Sequence, residues 1–236
     1  MEEEPRQAVG RIAVVAALKR EVRPLIAGWQ VVRRSRDGRE FKFFESDRAV
    51  VVCGGIGPVA ARWACEAVCA SYEPEMVISA GFAGALTTDL KVGDVVIPAK
   101  VIDAGDGSSI GTGTGSGGLV SVAEMASAER KRVLGAKYGA VAVDMEAAAV
   151  AKSAELRSVR FRAVKAISDV LDFEVPMVEG SVDAQGRFHE GRFLAGIAMR
   201  PWVWGRVARL ARNSSRASKN LAEALSVQIV GMSEAL

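Results

Sequence analysis

Two short segments place carboxylates where an apolar run changes character. In Ala142-Val143-Asp144-Met145-Glu146-Ala147-Ala148-Ala149, two acids interrupt an otherwise apolar stretch. In Val164-Lys165-Ala166-Ile167-Ser168-Asp169, an apolar run with a lysine inside it ends on a hydroxyl and a carboxylate. Carboxyl groups in apolar surroundings can act as general acids or bases. Each segment also has a plainer reading. Asp144 and Glu146 suit a helix start, where free N–H groups and the helix dipole favour acidic side chains. Ser168-Asp169 suits a turn. His189 is the only histidine, which argues against a Ser-His-Asp triad, a Cys-His dyad or a multi-histidine zinc site. Catalysis must then rest on carboxylates, lysine, arginine or backbone donors. His189 itself, in Arg187-Phe188-His189-Glu190, reads as a surface residue.

The elements that must carry these residues follow from the apolar runs. Strands are predicted over Arg11 to Ala17, Phe41 to Phe44, Ala49 to Cys53, Glu75 to Ser79, Val95 to Pro98, Leu119 to Ala123, Ala140 to Val143 and Phe161 to Ile167. Helices are predicted over Lys19 to Ile26, Val59 to Ser71, Ser127 to Leu134 and Met145 to Leu156, with helical character from Arg187 onward. Pro58 is well placed at a helix start, where its missing N–H costs nothing. The Gly-, Ser- and Thr-rich stretch 104–118 is expected to be a mobile loop. Strands alternate with helices and no repeat is visible, so the fold class is α/β, a single domain around a largely parallel sheet. Ligands in such sheets gather at the carboxyl ends of strands. Leu18 to Glu21, Gly54 to Gly57, Gly81 to Gly84 and Ser168-Asp169 all fall there.

Composition narrows the class further. The chain has 236 residues, half of them hydrophobic and a quarter charged, as expected of a globular protein with a substantial core. Three cysteines without a CxxC pair fit a reducing, cytoplasmic setting. No basic start with an apolar run and no membrane-length apolar stretch is visible. Gly113 to Gly118 satisfies GxGxxG only formally, because no strand-to-helix junction surrounds it.

Together the segments resemble a known family. VDMEAAAVA followed by VKAISD resembles the signature of the purine nucleoside phosphorylase family, which includes the methylthioadenosine/S-adenosylhomocysteine nucleosidases. AALKREVRPL, GGIGPVAA and ISAGFAGAL with LKVGDVVIP resemble the family's other segments, in the family's order, across Arg11 to Asp169. The resemblance implies a mixed, barrel-like sheet flanked by helices, a homo-oligomer, and cleavage of the bond between a ribosyl group and a purine. It implies no cofactor and no metal, a small-molecule purine nucleoside as partner, and no nucleic acid. By the same resemblance Asp169 is the leaving-group acid, Glu146 binds ribose, and Glu21 positions the nucleophilic water of the hydrolytic members. Met145, Asp144, Ser168, Phe82 and Gly81 line the substrate, and Gly55, Gly57 and Lys165 form a phosphate or water site. Phe82-Ala83 stands where many members carry a hydroxyl or thiol, and Lys165 where several carry arginine. An aspartate at 169, rather than asparagine, suits adenine or broad purine recognition.

The tail adds one more feature. Between Gly191 and Leu221 there are seven basic residues and no acidic one. Arg206, Arg209, Arg212, Arg216 and Lys219 fall on one helical arc, opposite Val203, Val207, Leu210 and Leu221. The segment 191–225 reads as an amphipathic helix with a solvated basic face; the alternative is a helix lying on an anionic membrane surface or guarding an apolar substrate channel. With GLVSVAEMASAERKR, this tail resembles the hopanoid-associated phosphorylase branch. That resemblance implies a lipid-linked adenosyl substrate, and inorganic phosphate rather than water as co-substrate. Hydrolysis of the methylthioadenosine type is the alternative. A non-catalytic nucleoside-binding protein is the alternative of another class.

Overall fold

Ile12–Ala16 (β1) consists of five buried aliphatic residues, and its two faces have different neighbours. Ala13 and Val15 join one apolar cluster; Ile12, Val14 and Ala16 join another. A strand covered on both faces must be apolar throughout, which is why no polar residue interrupts it. The computed structural model describes residues 12–173 and 204–233. His189 and residues 191–203 of the basic segment lie outside them.

After β1 come a short helix Lys19–Val22 (α1), strands Gln30–Arg36 (β2), Arg39–Glu45 (β3) and Ala49–Cys53 (β4), and helix Pro58–Tyr72 (α2). Met76–Ala85 (β5) is the long central strand. Val95–Val96 (β6), Lys100–Asp103 (β7), Ser109–Gly111 (β8) and Gly118–Ser121 (β9) follow. Helix Ala128–Tyr138 (α3), Ala142–Asp144 (β10), helix Ala147–Glu155 (α4), Arg160–Asp169 (β11) and helix Trp204–Ser233 (α5) complete the described chain.

The sheet runs β2-β3-β4-β1-β5-β10-β9-β7-β8, with β11 on β5 and β6 on β11. The sheet is mixed, as the family resemblance implies, rather than largely parallel. Five pairings are parallel and five antiparallel. The antiparallel ones come from hairpins at the edges, from β6 on β11, and from β5, which pairs with β10 only at its last residues.

Helices cover both faces of this single α/β domain. α2 and α4 pack on one side through small residues, among them Ala61, Ala64, Ala147 and Ala151. α5 covers the other with Ala217, Leu221, Leu225 and Ile229, one residue every four. Leu221 and Leu225 are fully buried, and truncating either to alanine would cost about 2–5 kcal/mol. Arg209, Arg212, Arg216 and Lys219 lie exposed away from that stripe.

Three sequence expectations need correction. The helix expected over Lys19 to Ile26 stops at Val22, and the chain turns through residues 23–28. The segment 104–118 is a hydrogen-bonded hairpin rather than a free loop. β8 pairs antiparallel with β7, and Thr112 donates its hydroxyl to Pro98 O at 2.6 Å. β2 is an additional strand; the two-residue turn Asp37-Gly38, with φ of 49° and 73°, joins it to β3. Positive φ at both turn residues matches strand twist in a hairpin.

Candidate active site

Glu21, Asp144, Glu146 and Lys165 come from four separate elements and meet at one place. The Lys165 Nζ–Asp144 Oδ2 distance is 2.8 Å, with side chains 1% and 0% exposed. Lys165 also donates to Ser79 Oγ at 3.0 Å. Asp144 Oδ1 accepts the Ser121 hydroxyl at 2.5 Å, and Oδ2 accepts Ala147 N–H at 2.9 Å. Ser121 Oγ accepts Ala148 N–H at 2.9 Å, so two of the first N–H groups of α4 are satisfied by side chains. Asp144 thus caps the first N–H of α4 from outside the N-cap position, which Glu146 holds, so the helix starts at Ala147 rather than Met145 and Glu146 is not in its first turn; the same Asp144 carboxylate also neutralises Lys165.

Glu146 sits just before α4, and its Oε1 accepts Gly57 N–H at 2.8 Å, from the start of α2. Burial, then the charge of Asp144, pushes the Glu146 carboxyl up to about 7, against the opposing pull of Lys165 and the Gly57 N–H. Glu21 is 6% exposed, not a surface glutamate. Burial raises its pKa, while Leu18 N–H, 3.2 Å from Oε2, and Lys165 oppose the rise. Burial on its own would pull the Lys165 ammonium down; Asp144, Glu146 and Glu21 overcome it and hold its pKa above the ordinary lysine value. Gly81 makes room beside them, since a Cβ there would stand 3.1 Å from Glu21 Oε2. α5 holds α1 in place through Ser218 Oγ, which donates to Arg20 O at 3.1 Å.

The second group lies further along β11. Lys165 and Asp169 are four residues apart on that strand, roughly 13 Å. Asp169 Oδ1 accepts the Ser168 hydroxyl at 2.6 Å, and Oδ2 pairs with the Lys131 ammonium. Ser168-Asp169 therefore ends the strand instead of forming a turn. Phe82 and Met145 are half-buried, each against a different apolar cluster.

The donors expected to hold phosphate are already engaged. Gly55 N–H donates to Ala17 O at 3.0 Å, Gly57 N–H to Glu146, and Lys165 to Asp144 and Ser79. Among the described residues no group of three or more His, Cys, Asp or Glu side chains is placed to hold a metal ion. Nor is any helix there long and apolar enough to cross a membrane.

Sequence reasoning missed Lys131, Ser121 and Ser79. Lys131 is 2% exposed although it lies in the charge run Glu129-Arg130-Lys131-Arg132. The sequence signal was its spacing, three residues before Leu134, the other buried residue of α3.

An α/β fold with buried acids at the carboxyl ends of its strands defines an enzyme-like site on a nucleoside-phosphorylase-type scaffold. Residues 11–130 and 114–192 match the family model described as the phosphorylase superfamily, and the chain belongs to that superfamily. It is 29% identical over 206 residues to a 5′-methylthioadenosine/S-adenosylhomocysteine nucleosidase of Actinobacillus succinogenes, covering 71% of this chain and 89% of the relative. The fold is similar to that of the Neisseria meningitidis nucleosidase of the same name, solved with methylthio-immucillin-A. That likeness has a TM-score of 0.68 and 22% identity, over 94% of this chain and 98% of the other. It is also similar to futalosine hydrolase of Helicobacter pylori, with a TM-score of 0.66 and 20% identity over 92% and 98% of the two chains.

Proposed function

We propose that this chain is a purine nucleosidase that cleaves the N-ribosyl bond of an adenine nucleoside with water. The observation that carries the reading is the group of three carboxylates, buried Glu21 and Asp144 and half-buried Glu146, around the single ammonium of Lys165. Asp144 neutralises Lys165, and Glu21 and Glu146 add up to two further negative charges as they ionise, Glu146 around pH 7. A phosphate dianion would enter beside these acids and find Gly55 N–H, Gly57 N–H and two of the three Lys165 donors already engaged. A water molecule meets no such barrier. This replaces phosphate, the co-substrate implied by the branch resemblance.

In this reading Glu146 accepts hydrogen bonds from the ribose hydroxyls and stabilises the cationic sugar of the transition state. Glu21 orients the attacking water and accepts its proton, for which a raised pKa is suited. Asp169 addresses the departing purine. Met145 and Phe82 supply apolar contact beside the sugar and base. The curated and solved relatives named above are nucleosidases and a hydrolase, which supports water as nucleophile. The test is release of adenine from adenosine and 5′-substituted adenosines in phosphate-free buffer.

A second reading concerns the 5′ substituent. The exposed basic residues of α5 favour contact with an anionic surface, which would suit a lipid-linked adenosyl substrate.

A further inference from the structure

Lys131 has no part in the reaction as proposed, yet it is a buried cation with every donor engaged. Its ammonium pairs with Asp169 Oδ2 and donates to Val170 O at 3.0 Å and Phe173 O at 3.2 Å. The fold is shaped around this pair. A Cβ on Gly84 would stand 2.9 Å from Asp169 Oδ2 and 3.0 Å from Lys131 Cε, so a side chain there would require the pair to shift. α3, which carries Lys131, is fixed at its start by Ser127 Oγ, which accepts Arg130 N–H at 3.2 Å. Arg132, the next residue, pairs with Asp172 at 2.5 Å. Two adjacent cations of α3 thus hold the chain from Asp169 to Phe173.

This arrangement raises a question of proton supply. Asp169 accepts from the Ser168 hydroxyl on one oxygen and from the Lys131 ammonium on the other. Both oxygens of Asp169 thus have a hydrogen-bonding partner, one of them a charged donor. The nearest proton on a charged donor is on Lys131 Nζ. We propose that Lys131 is a positioning residue for Asp169 and the source of the proton that Asp169 delivers to the departing purine. The inference rests on the cleavage reading above, in which Asp169 faces the leaving base.

The step balances. As the ribosyl C1′–N bond breaks, its electron pair goes to the purine. An N–H bond of Lys131 breaks, its electron pair staying on Nζ, and the proton forms an O–H bond on Asp169 Oδ2. Asp169 passes that proton to a ring nitrogen of the base and ends as a carboxylate. Water adds to the sugar carbon and its proton leaves through Glu21 to solvent. Solvent returns one proton to the neutral Lys131 amine, and the enzyme is restored.

The experiment compares two leaving groups on the full chain. Adenosine needs a proton to lose its base well, whereas p-nitrophenyl riboside loses nitrophenolate without one. Lys131→Met removes charge and proton; Lys131→Arg keeps the charge but does not release its proton. Both variants are expected to lose about a hundredfold in kcat on adenosine and to change less than about threefold on the nitrophenyl riboside. Retained turnover of the second substrate also reports that the variant is folded. Equal losses on both substrates, or full adenosine turnover by Lys131→Arg, would overturn the proposal. The wild-type chain provides a measurement that needs no variant. The transfer of the water proton to Glu21 is common to both substrates, so a solvent deuterium isotope effect on kcat is expected to be larger for adenosine than for the nitrophenyl riboside; effects of equal size contradict the relay. A wild-type chain inactive on both substrates would instead remove the cleavage reading, and this inference with it.

Discussion

Asp144 and Lys165 form an ion pair at 2.8 Å whose two side chains are 0% and 1% exposed, on β10 and β11, which both pair with β5. Burying two opposite charges this completely costs solvation that only close pairing and further hydrogen bonds return. Here Ser79, Ser121 and Ala147 N–H provide those bonds. The pair fixes β10, β11 and the start of α4 relative to one another, and so sets where Glu146 stands.

Removing one partner leaves the other charged and buried. Asp144→Asn or Lys165→Met should each destabilise the fold by about 3–5 kcal/mol, whereas the double variant should recover much of that loss. Denaturant unfolding of the three variants checks this. Additive losses in the double variant would show that the charges do not interact as described.

Glu146 gives stability a pH dependence whose sign is fixed. Its carboxyl holds a proton up to about 7 in the fold, against an ordinary value of 4.5. Between those values the native state binds more protons than the unfolded one. The associated stability is present in full below pH 4.5 and is lost as pH rises through about 7, a change of roughly 3 kcal/mol. Glu21 is raised as well and acts in the same direction. Thermal melting from pH 4.5 to 8 should therefore show Tm falling, and Glu146→Gln, whose amide oxygen can still accept Gly57 N–H, should flatten the curve. An unchanged slope in that variant would place the titration elsewhere.

Gly81 tests the packing against Glu21. Its φ is +151° and a Cβ would sit 3.1 Å from Glu21 Oε2. Gly81→Ala should cost about 1–3 kcal/mol and displace the carboxylate, lowering kcat more than it raises KM. Steady-state kinetics beside a melting curve would separate the two effects. Wild-type kcat in this variant would mean that the position of Glu21 is not critical.

The tail reading is tested by charge, not by truncation, because Leu221 and Leu225 of α5 are part of the core. Arg212→Glu with Lys219→Glu changes only exposed positions. Co-sedimentation with anionic vesicles should fall several-fold for this variant and fall for the wild-type chain at high salt. Equal binding by both proteins would remove the membrane reading.

Much of the architecture is legible because its strands are covered on both faces. β1, β4 and β5 read as near-continuous apolar runs, β11 as an apolar run interrupted by Arg162 and Lys165, and Gly57-Pro58 marks the start of α2. β2 is not legible that way. Val32 is its one half-buried residue, and Arg33, Arg34 and Arg36 give it the look of a loop, although Asp37-Gly38 announces a hairpin. The site divides similarly. Acids inside apolar runs, such as Asp144 and Asp169, stand out locally. The bond from Gly57 to Glu146 spans 89 residues and has no local signature. Lys131 is hidden for another reason: in a run of four charged residues, only its position on the inner side of α3 distinguishes it.

The most direct test of the account is adenine release from adenosine in phosphate-free buffer made with oxygen-18 water, followed by chromatography and mass analysis of the sugar. Hydrolysis predicts adenine release, free sugar carrying the heavy oxygen at its anomeric carbon before exchange, and no acceleration when phosphate is added. A strict requirement for phosphate, with sugar 1-phosphate as product, would contradict the account and return Gly55, Gly57 and Lys165 to the anion-binding role expected from the sequence.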